Sequence, residues 1–396
     1  MRKRNYVSVI LVLVILLSSF QLTFAVDIDN LTQYNMTIEL NAEEHTVEGM
    51  QNINFVNHYN DELKEIVFRL YPDSYNSYET FPAIGGIHFM EEEIPELPEE
   101  QKGNIEIHKV RINGKEAEYK DDSQILRISL VKPLGKGEKV NIKIDFNLKI
   151  PEGYHRLHHM EGTYSLTNWY PILSIYDEKT KKWDENPYHP IGESNYSDVS
   201  NYNIKLKVPK EMVVAPTGTI VSEKEVGDNK TLTIKAEKVR DFVILMSPNY
   251  NIKTKEVDGI KISNYYIEQK DGEYNTEYKE KTADLILDEV AKTVKLLNKT
   301  IGKYPYDELR IAETYLSGGA MEYPQVLQMG IYHDLSKVNI EENAPFLIEA
   351  AVHEAIHQWW YVGVGNDEFS EPFLDESLTV FTTAYYFEKE YDKYHP

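Results

Sequence analysis

Cysteine is absent from the 396-residue sequence. Its absence excludes disulfide bonds, thiolate metal sites and cysteine nucleophiles together. Basic residues are also scarce, because 42 Lys and Arg stand against 65 Asp and Glu, giving a net charge of -23. Affinity for nucleic acid rests on clustered Lys and Arg, so we expect no nucleic-acid partner. Apolar residues make up 41% and charged residues 27%, a balance typical of globular protein.

Long apolar runs are rare too, and the clearest one lies at the N-terminus. Three basic residues at positions 2–4 precede the apolar stretch Tyr6–Leu17, and Thr23 and Ala25 are small residues that suit cleavage after Ala25. This pattern predicts a signal peptide over residues 1–25 and an exported protein. Export without cysteine favours a bacterial cell envelope or exterior. The alternative is an uncleaved membrane anchor, and we expect membrane contact only in that case.

Residues 26–254 alternate between apolar and polar side chains. Examples are the series Met36, Ile38, Leu40 and the series Val140, Ile142, Ile144, Phe146. A period of two is typical of half-buried strands. The Asn113-Gly114 pair is a strong signal for a two-residue hairpin turn. The sequence therefore predicts a β-rich N-terminal domain, a large twisted sheet or sandwich.

Residues 255–396 show helical patterns instead, and together with the first part they predict an α+β multidomain protein. One amphipathic face consists of Ile286, Val290, Val294, Leu297 and Ile301. A strand is expected over Leu309–Leu316. Two more helices are expected, one after Asn343 as N-cap with Pro345 in its first turn, and one after Ser370 with Pro372 in its first turn.

The segment His353-Glu354-Ala355-Ile356-His357 carries two histidines four residues apart. On a helix they lie one above the other, so both imidazoles can reach one tetrahedral zinc ion. Glu354 lies about 100° further round the helix, where it can take a proton from a water on the metal. The alternative for such a short pattern is a pair of hydrogen-bonded histidines on a core helix.

Glu376 follows His357 by 19 residues and is the candidate third zinc ligand. A loop and a second helix can return this carboxylate to complete a site of two histidines and one glutamate. Its apolar neighbours predict a buried position; they are Phe373, Leu374, Leu378 and Val380. We interpret Glu371 and Asp375 as first-turn residues that complement the helix dipole.

A glycine-rich turn precedes this segment and reads Gly318-Gly319-Ala320-Met321-Glu322-Tyr323. With His353–Glu376 it resembles the gluzincin zinc metallopeptidases of the aminopeptidase N type, whose pattern is H-E-x-x-H-x18-E preceded by G-[AG]-M-E-N. Tyr323 stands where that family usually has Asn. Segments of the β half, such as Trp169-Tyr170-Pro171 and Gly192-Glu193, resemble the family as well.

The resemblance implies a thermolysin-like catalytic domain over residues 255–396, and roles for the motif residues. His353, His357 and Glu376 would bind one Zn²⁺, with Glu354 as general base. Glu322 would hold the free α-amine of a peptide, and Gly319, Ala320 and Met321 would line the substrate chain. The family often adds a second amine contact from the β domain, for which Glu161 is the candidate in this sequence.

The expected function is therefore that of an exported zinc aminopeptidase acting on peptides with a free N-terminus. The family places a transition-state tyrosine some sixty residues beyond the last zinc ligand, and the sequence given ends at Pro396. This predicts a catalytic domain that is C-terminally incomplete. Two alternatives stay open: a zinc endopeptidase, and a catalytically impaired protein that binds zinc and peptide.

Overall fold

The computed structural model describes residues 30–82, 96–189, 192–268, 277–335, 337–340 and 344–392. The predicted signal peptide, residues 1–25, lies outside the described residues. Residues 32–396 form one compact unit, which is the part discussed below. The predicted domain boundary near residue 254 stays a prediction. Among the described residues, no helix combines the length and apolarity needed to cross a membrane.

Strands dominate the first part of the chain, as predicted. In chain order they are β1 (Thr32–Asn41), β2 (Thr46–Val56), β3 (Leu63–Arg69), β4 (Asn104–Ile112), β5 (Lys115–Glu116), β6 (Tyr119–Asp122), β7 (Ile125–Leu134), β8 (Lys139–Lys149), β9 (His158–Met160), β10 (Thr163–Leu166), β11 (Ile172–Leu173), β12 (Tyr176–Asp177), β13 (Lys182–Trp183), β14 (Ser200–Pro209), β15 (Val213–Pro216), β16 (Thr219–Val226), β17 (Asn229–Val239) and β18 (Ile244–Ser247). Among the described residues between β3 and β4, Tyr71–Asn76 and Glu99–Gln101 form short 3-10 helices.

These strands form an eight-stranded sheet in the order β16-β17-β14-β1-β2-β8-β4-β5, two four-stranded sheets and a two-stranded one. In the large sheet β1 and β14 are parallel, and the other neighbours pair antiparallel. The apolar members of the predicted alternation, such as Ile38 and Ile142, are buried in one hydrophobic cluster. Burial of every second side chain is what stabilises the sheet, so the period of two predicted it correctly.

The predicted hairpin at Asn113-Gly114 joins β4 to β5 as an antiparallel pair. Both turn residues have positive φ, 49° for Asn113 and 80° for Gly114. This is the backbone geometry of the two-residue turn that matches the twist of paired strands. The hairpin prediction is therefore confirmed.

The second part contains a five-stranded sheet and three α-helices. Its elements are β19 (Tyr250–Val257), β20 (Ile260–Ile267), α1 (Glu277–Thr300), β21 (Glu308–Leu316), β22 (Ala320–Met321), β23 (Val326–Gly330), α2 (Phe346–Ile356) and α3 (Phe373–Tyr391). The sheet order is β19-β20-β21-β23-β22, with β20, β21 and β23 parallel and β22 antiparallel at the edge. The α+β prediction is confirmed, with a β-rich N-terminal part followed by a helical C-terminal part.

Helix α1 buries the predicted apolar face against the sheet and α2. Ile286, Val290, Val294 and Leu297 are fully buried, whereas Ile301 follows the last helical residue and is 41% exposed. The other two helices begin two residues later than predicted, because Pro345 and Pro372 are their N-cap residues and lie outside the first turn. Proline suits this position since its nitrogen has no hydrogen to leave unpaired. The predicted N-cap Asn343 lies outside the described residues.

Helix α3 faces the opposite way from the prediction. Its buried residues are mostly polar, namely Asp375, Thr379, Thr382, Thr383, Tyr386 and Phe387. Phe373, Leu374, Leu378 and Val380 are 60%, 40%, 45% and 57% exposed within the described structure. The expectation that these apolar residues bury Glu376 is therefore wrong. On the inner face, Asp375 and Thr379 lie beside His357, and Tyr386 donates a hydrogen bond to Glu289 of α1.

Candidate active site

The two motif histidines converge on one point at the C-terminal end of α2. His353 lies in the last turn of the helix and His357 is its C-cap residue. The Nε2 atoms of the two rings are 3.1 Å apart. Spacing of four residues along a helix brings the rings onto one face, as the sequence predicted.

Glu376 completes this group from the first turn of α3. Its Oε2 lies 3.3 Å from His353 Nε2 and its Oε1 lies 3.8 Å from His357 Nε2. Ligand atoms at about 2.0–2.1 Å from a tetrahedral zinc ion are about 3.3 Å from each other. The three distances therefore fit a zinc ion of ordinary geometry held by His353, His357 and Glu376.

The ring of His357 is held in a fixed orientation by groups that the sequence analysis missed. Its Nδ1 lies 3.1 Å from the carbonyl oxygen of Trp360 and 3.2 Å from Thr379 Oγ1. A carbonyl oxygen can only accept a hydrogen bond, so Nδ1 carries the hydrogen and Nε2 keeps its lone pair for a metal.

Asp375 belongs to the same surroundings, with Oδ2 3.9 Å from His357 Nδ1. It lies in the first turn as predicted. However, Asp375 is 2% exposed and faces the histidine, so the interpretation that it only complements the helix dipole is wrong. Asp375 and Thr379 are four residues apart, which places them on one helix face. That spacing is the feature of the sequence that could have indicated their shared position beside His357. Glu371 is exposed and precedes the helix.

Burial and neighbouring charges shift the pKa values of the two histidines in opposite directions. Burial, helped by the neighbouring His353, lowers the pKa of His357 to about 4. Burial also acts to lower the pKa of His353, but its hydrogen bond to Glu376 and the charges of Glu354 and Glu376 outweigh burial and raise it. The hydrogen bond to His353 lowers the pKa of Glu376. A neutral His357 and an ionised Glu376 are the protonation states that bind metal.

Glu354 lies against the metal-binding group but does not join it. The side chain is 7% exposed, and its Oε2 has no hydrogen-bond partner. Burial raises the pKa of Glu354, the charges of Glu376 and Glu193 raise it further, and His353 opposes them. A carboxylate whose pKa is raised toward neutrality is suited to accept and return a proton.

The loop that carries Glu322 is tied to the histidine helix through Gln358. The Gln358 side chain donates to the carbonyl oxygens of Glu322 and Tyr323, at 3.4 Å and 3.1 Å, and accepts from the backbone N–H of Gln325 at 2.9 Å. Glu322 is 3% exposed and its Oε1 has no hydrogen-bond partner. One carboxylate oxygen of Glu322 lies within 4.8 Å of a His357 ring nitrogen. The predicted residues Glu322, Glu354, His353, His357 and Glu376 are thus brought together.

Residues Gly319, Ala320 and Met321 lead into Glu322 along the edge of the five-stranded sheet. Ala320 and Met321 form β22, which pairs with β23 on one side only among the described strands. An edge strand keeps backbone N–H and C=O groups that can pair with an extended peptide.

The carboxylate that the β-rich part brings to this site is Glu193, and the sequence analysis had selected Glu161. Glu161 is exposed in the turn between β9 and β10. A carboxylate oxygen of Glu193 lies within 4.8 Å of one on Glu322. Glu193 also forms an ion pair with Arg156, at 2.5 Å from Nη1 and 2.6 Å from Nη2. Sequence spacing to Glu322 could not reveal Glu193, because the contact joins residues 129 positions apart.

The fold is that of the M1 zinc metallopeptidases, as comparison with solved structures shows. The M1 zinc metallopeptidase from Deinococcus radiodurans has a TM-score of 0.59 and 14% identity, with 91% of this chain and 70% of that chain covered. A Glu-to-Ala variant of it bound to a Tyr-Ser-Ala substrate gives a TM-score of 0.57 at the same identity and coverage. No family model and no curated protein matches the sequence. The expected fold is thereby confirmed, and it supports the expected family at that level.

Proposed function

We propose that the protein is a zinc aminopeptidase, which hydrolyses N-terminal residues from peptides. The observation that carries this proposal is the position of Glu322, one carboxylate oxygen of which lies within 4.8 Å of a ring nitrogen of His357. One carboxylate beside a metal site accounts for binding of a free α-ammonium group close to the bond that is cleaved. The site is thereby restricted to the first peptide bond.

In this proposal His353, His357 and Glu376 hold the zinc ion. Zinc, when bound, polarises the peptide carbonyl and lowers the pKa of a water. Glu354 accepts the proton of the attacking water and then donates it to the departing amine nitrogen. Glu322 and Glu193 receive the α-ammonium group, and β22 aligns the peptide backbone through Gly319, Ala320 and Met321.

Location and domain organisation belong to the same proposal. Residues 1–25 direct export to the bacterial cell envelope or exterior, residues 26–254 form the β-rich domain, and residues 255–396 form the peptidase domain. The partners are peptides with a free N-terminus, without nucleic acid.

The test compares free and N-acetylated forms of one peptide with the zinc-loaded protein. We expect chelator-sensitive release of the first residue from the free peptide alone, and a KM at least tenfold higher in Glu322→Gln. The matched control is Glu371→Gln, the same change at an exposed residue. Equal cleavage of both forms would favour an endopeptidase, and no chelator-sensitive release would favour a protein that only binds zinc and peptide.

A further inference from the structure

A group of three carboxylates lies beside the proposed zinc site. One oxygen from each of Glu193, Glu322 and Glu368 lies within 4.8 Å of the other two. Glu193 comes from the β-rich part, Glu322 from the loop after β22, and Glu368 from the turn before α3. Three separate segments of the chain therefore direct acidic side chains to one place.

Glu368 has no partner for either of its oxygens. Its relative exposure is 0%, and both Oε1 and Oε2 lack a hydrogen bond. Glu322 Oε1 is also buried without a partner. A buried carboxylate without compensation costs several kcal/mol, so such groups are normally paired or bound to a cation. The oxygens of Glu368 and Glu322 that lack hydrogen bonds are therefore available to bind a cation.

When all three carboxylates are ionised, this group carries two more negative charges than Arg156 balances. Arg156 is the guanidinium that contacts the group, and it uses both of its paired hydrogen bonds on Glu193. Three carboxylates less one arginine leave a charge of -2. The acids Asp375 and Asp241 also lie near enough to Glu368 to disfavour its negative charge. A single α-ammonium group would balance one of the two charges, whereas a divalent cation balances both.

The donor set defines the kind of cation. Glu193, Glu322 and Glu368 offer carboxylate oxygens alone, whereas the neighbouring group offers two imidazole nitrogens. Oxygen-only sites suit hard cations, and imidazole suits zinc. Ca²⁺ accepts irregular oxygen arrangements, whereas Mg²⁺ demands a near-ideal octahedron and keeps several waters. We propose that Glu193, Glu322 and Glu368 form a second cation site that takes a hard divalent cation of the Ca²⁺ type.

This site has a consequence for the reaction, which rests on the proposed aminopeptidase function. Glu322 belongs both to the cation site and to the proposed amine site. A cation on Glu322 therefore competes with the α-ammonium group of the peptide. Calcium should raise the KM for substrates with a free amine, by about twofold at a concentration equal to its Kd, and leave kcat unchanged.

The binding test uses the full zinc-loaded chain, titrated with CaCl₂ in 150 mM KCl by calorimetry. We expect one Ca²⁺ per chain, and at least tenfold weaker binding in Glu368→Gln. The control Glu371→Gln removes the same charge from an exposed position and should bind Ca²⁺ as the wild type does. In Glu368→Gln, glutamine keeps the shape of the side chain. Without calcium, Glu368→Gln should melt no lower than the wild type, because it removes an unbalanced buried charge.

The outcomes distinguish the two proposals. Equal Ca²⁺ binding in the wild type and Glu368→Gln, or no binding in either, would overturn the cation site even if amide hydrolysis proceeds. Ca²⁺ binding that depends on Glu368 in a protein without peptidase activity would support the cation site and reject the aminopeptidase function. Calcium inhibition of the wild type that is lost in Glu368→Gln would support both.

Discussion

The Arg156 guanidinium donates two parallel hydrogen bonds to the Glu193 carboxylate, at 2.5 Å and 2.6 Å. The side chains are 22% and 15% exposed, so water screens the pair only in part. The pair holds Glu193 next to Glu322. Arg156 supplies the positive charge that contacts the group of three carboxylates, Glu193, Glu322 and Glu368. Planar two-point contact of this kind fixes direction as well as charge.

Replacement of Arg156 by Gln should therefore weaken both stability and substrate binding. We expect a loss of about 3 kcal/mol in the free energy of unfolding, the lower end of the range for a broken buried pair, because both side chains keep some exposure. The measurement is urea denaturation, with KM for a free-amine peptide measured alongside. Arg156→Lys keeps the charge and loses the two-point geometry. Its free energy of unfolding and its KM should therefore lie between those of the wild type and Arg156→Gln. Wild-type stability in Arg156→Gln would show that Glu193 does not need this partner.

Glu354→Gln should abolish turnover while the protein keeps its zinc. The amide cannot accept a proton, and general base catalysis contributes roughly 10²–10⁴ in rate. Measurement of kcat together with zinc content by mass spectrometry separates the base from the ligands. Turnover near the wild-type rate at full zinc content would contradict the assignment of Glu354 as the base.

Local sequence pattern predicted those features that local contacts determine. The strands of residues 26–254, the hairpin at Asn113 and the apolar face of α1 follow from side-chain period and turn chemistry. The pairing of His353 with His357 follows from helix geometry in the same way. These predictions needed no knowledge of which distant segments meet.

The features that could not be predicted correctly depend on contacts between distant segments. Glu193 and Glu368 meet Glu322 only through the tertiary fold, and no spacing rule relates them. The prediction for α3 was wrong because the polar side of this helix faces inward. Asp375 and Thr379 pack around His357, so the usual rule that apolar residues face the core is reversed there.

Asp375→Asn should weaken zinc binding without removing a zinc ligand. Asp375 and Thr379 lie at 3.9 Å and 3.2 Å from His357 Nδ1, on the side of the ring away from the metal position. Groups that orient a metal-bound histidine typically change metal affinity by about 10–100-fold when they are replaced. Competition with a fluorescent chelator measures this affinity. Ser377→Ala, an exposed change on the same helix, is the control, and equal affinity in all three proteins would refute the orienting role.

Removal of zinc should lower the melting temperature of the wild type. A ligand that binds only the folded state stabilises it by about 2.7 kcal/mol at 100 times its Kd. We expect EDTA to lower the melting temperature of the wild type and of His108→Ala, whose side chain is 43% exposed. His353→Ala should melt at one temperature with or without EDTA. An EDTA effect of wild-type size in His353→Ala would place the metal elsewhere.

Asp73 should make the stability of the β-rich part depend on pH. Burial raises the pKa of Asp73 to about 7; the hydrogen bond from the Ile105 N–H at 2.9 Å opposes this rise, and the nearby Asp121 adds to it. Between pH about 4 and about 7 the folded state therefore holds a proton that the unfolded chain has released. Stability from this group is present at low pH and is lost as pH rises through that window.

Asp73→Asn keeps the acceptor for Ile105 and cannot ionise, so it should remove this loss. We expect the variant to exceed the wild type by about 1–2 kcal/mol at pH 8, since partial exposure screens the charge, and to equal it at pH 4.5. Denaturant titrations at both pH values measure the difference. Asp228→Asn changes a 98% exposed carboxylate and should show no pH-dependent gain. A difference between Asp73→Asn and the wild type that stays constant with pH would mean that Asp73 ionises normally in the folded protein.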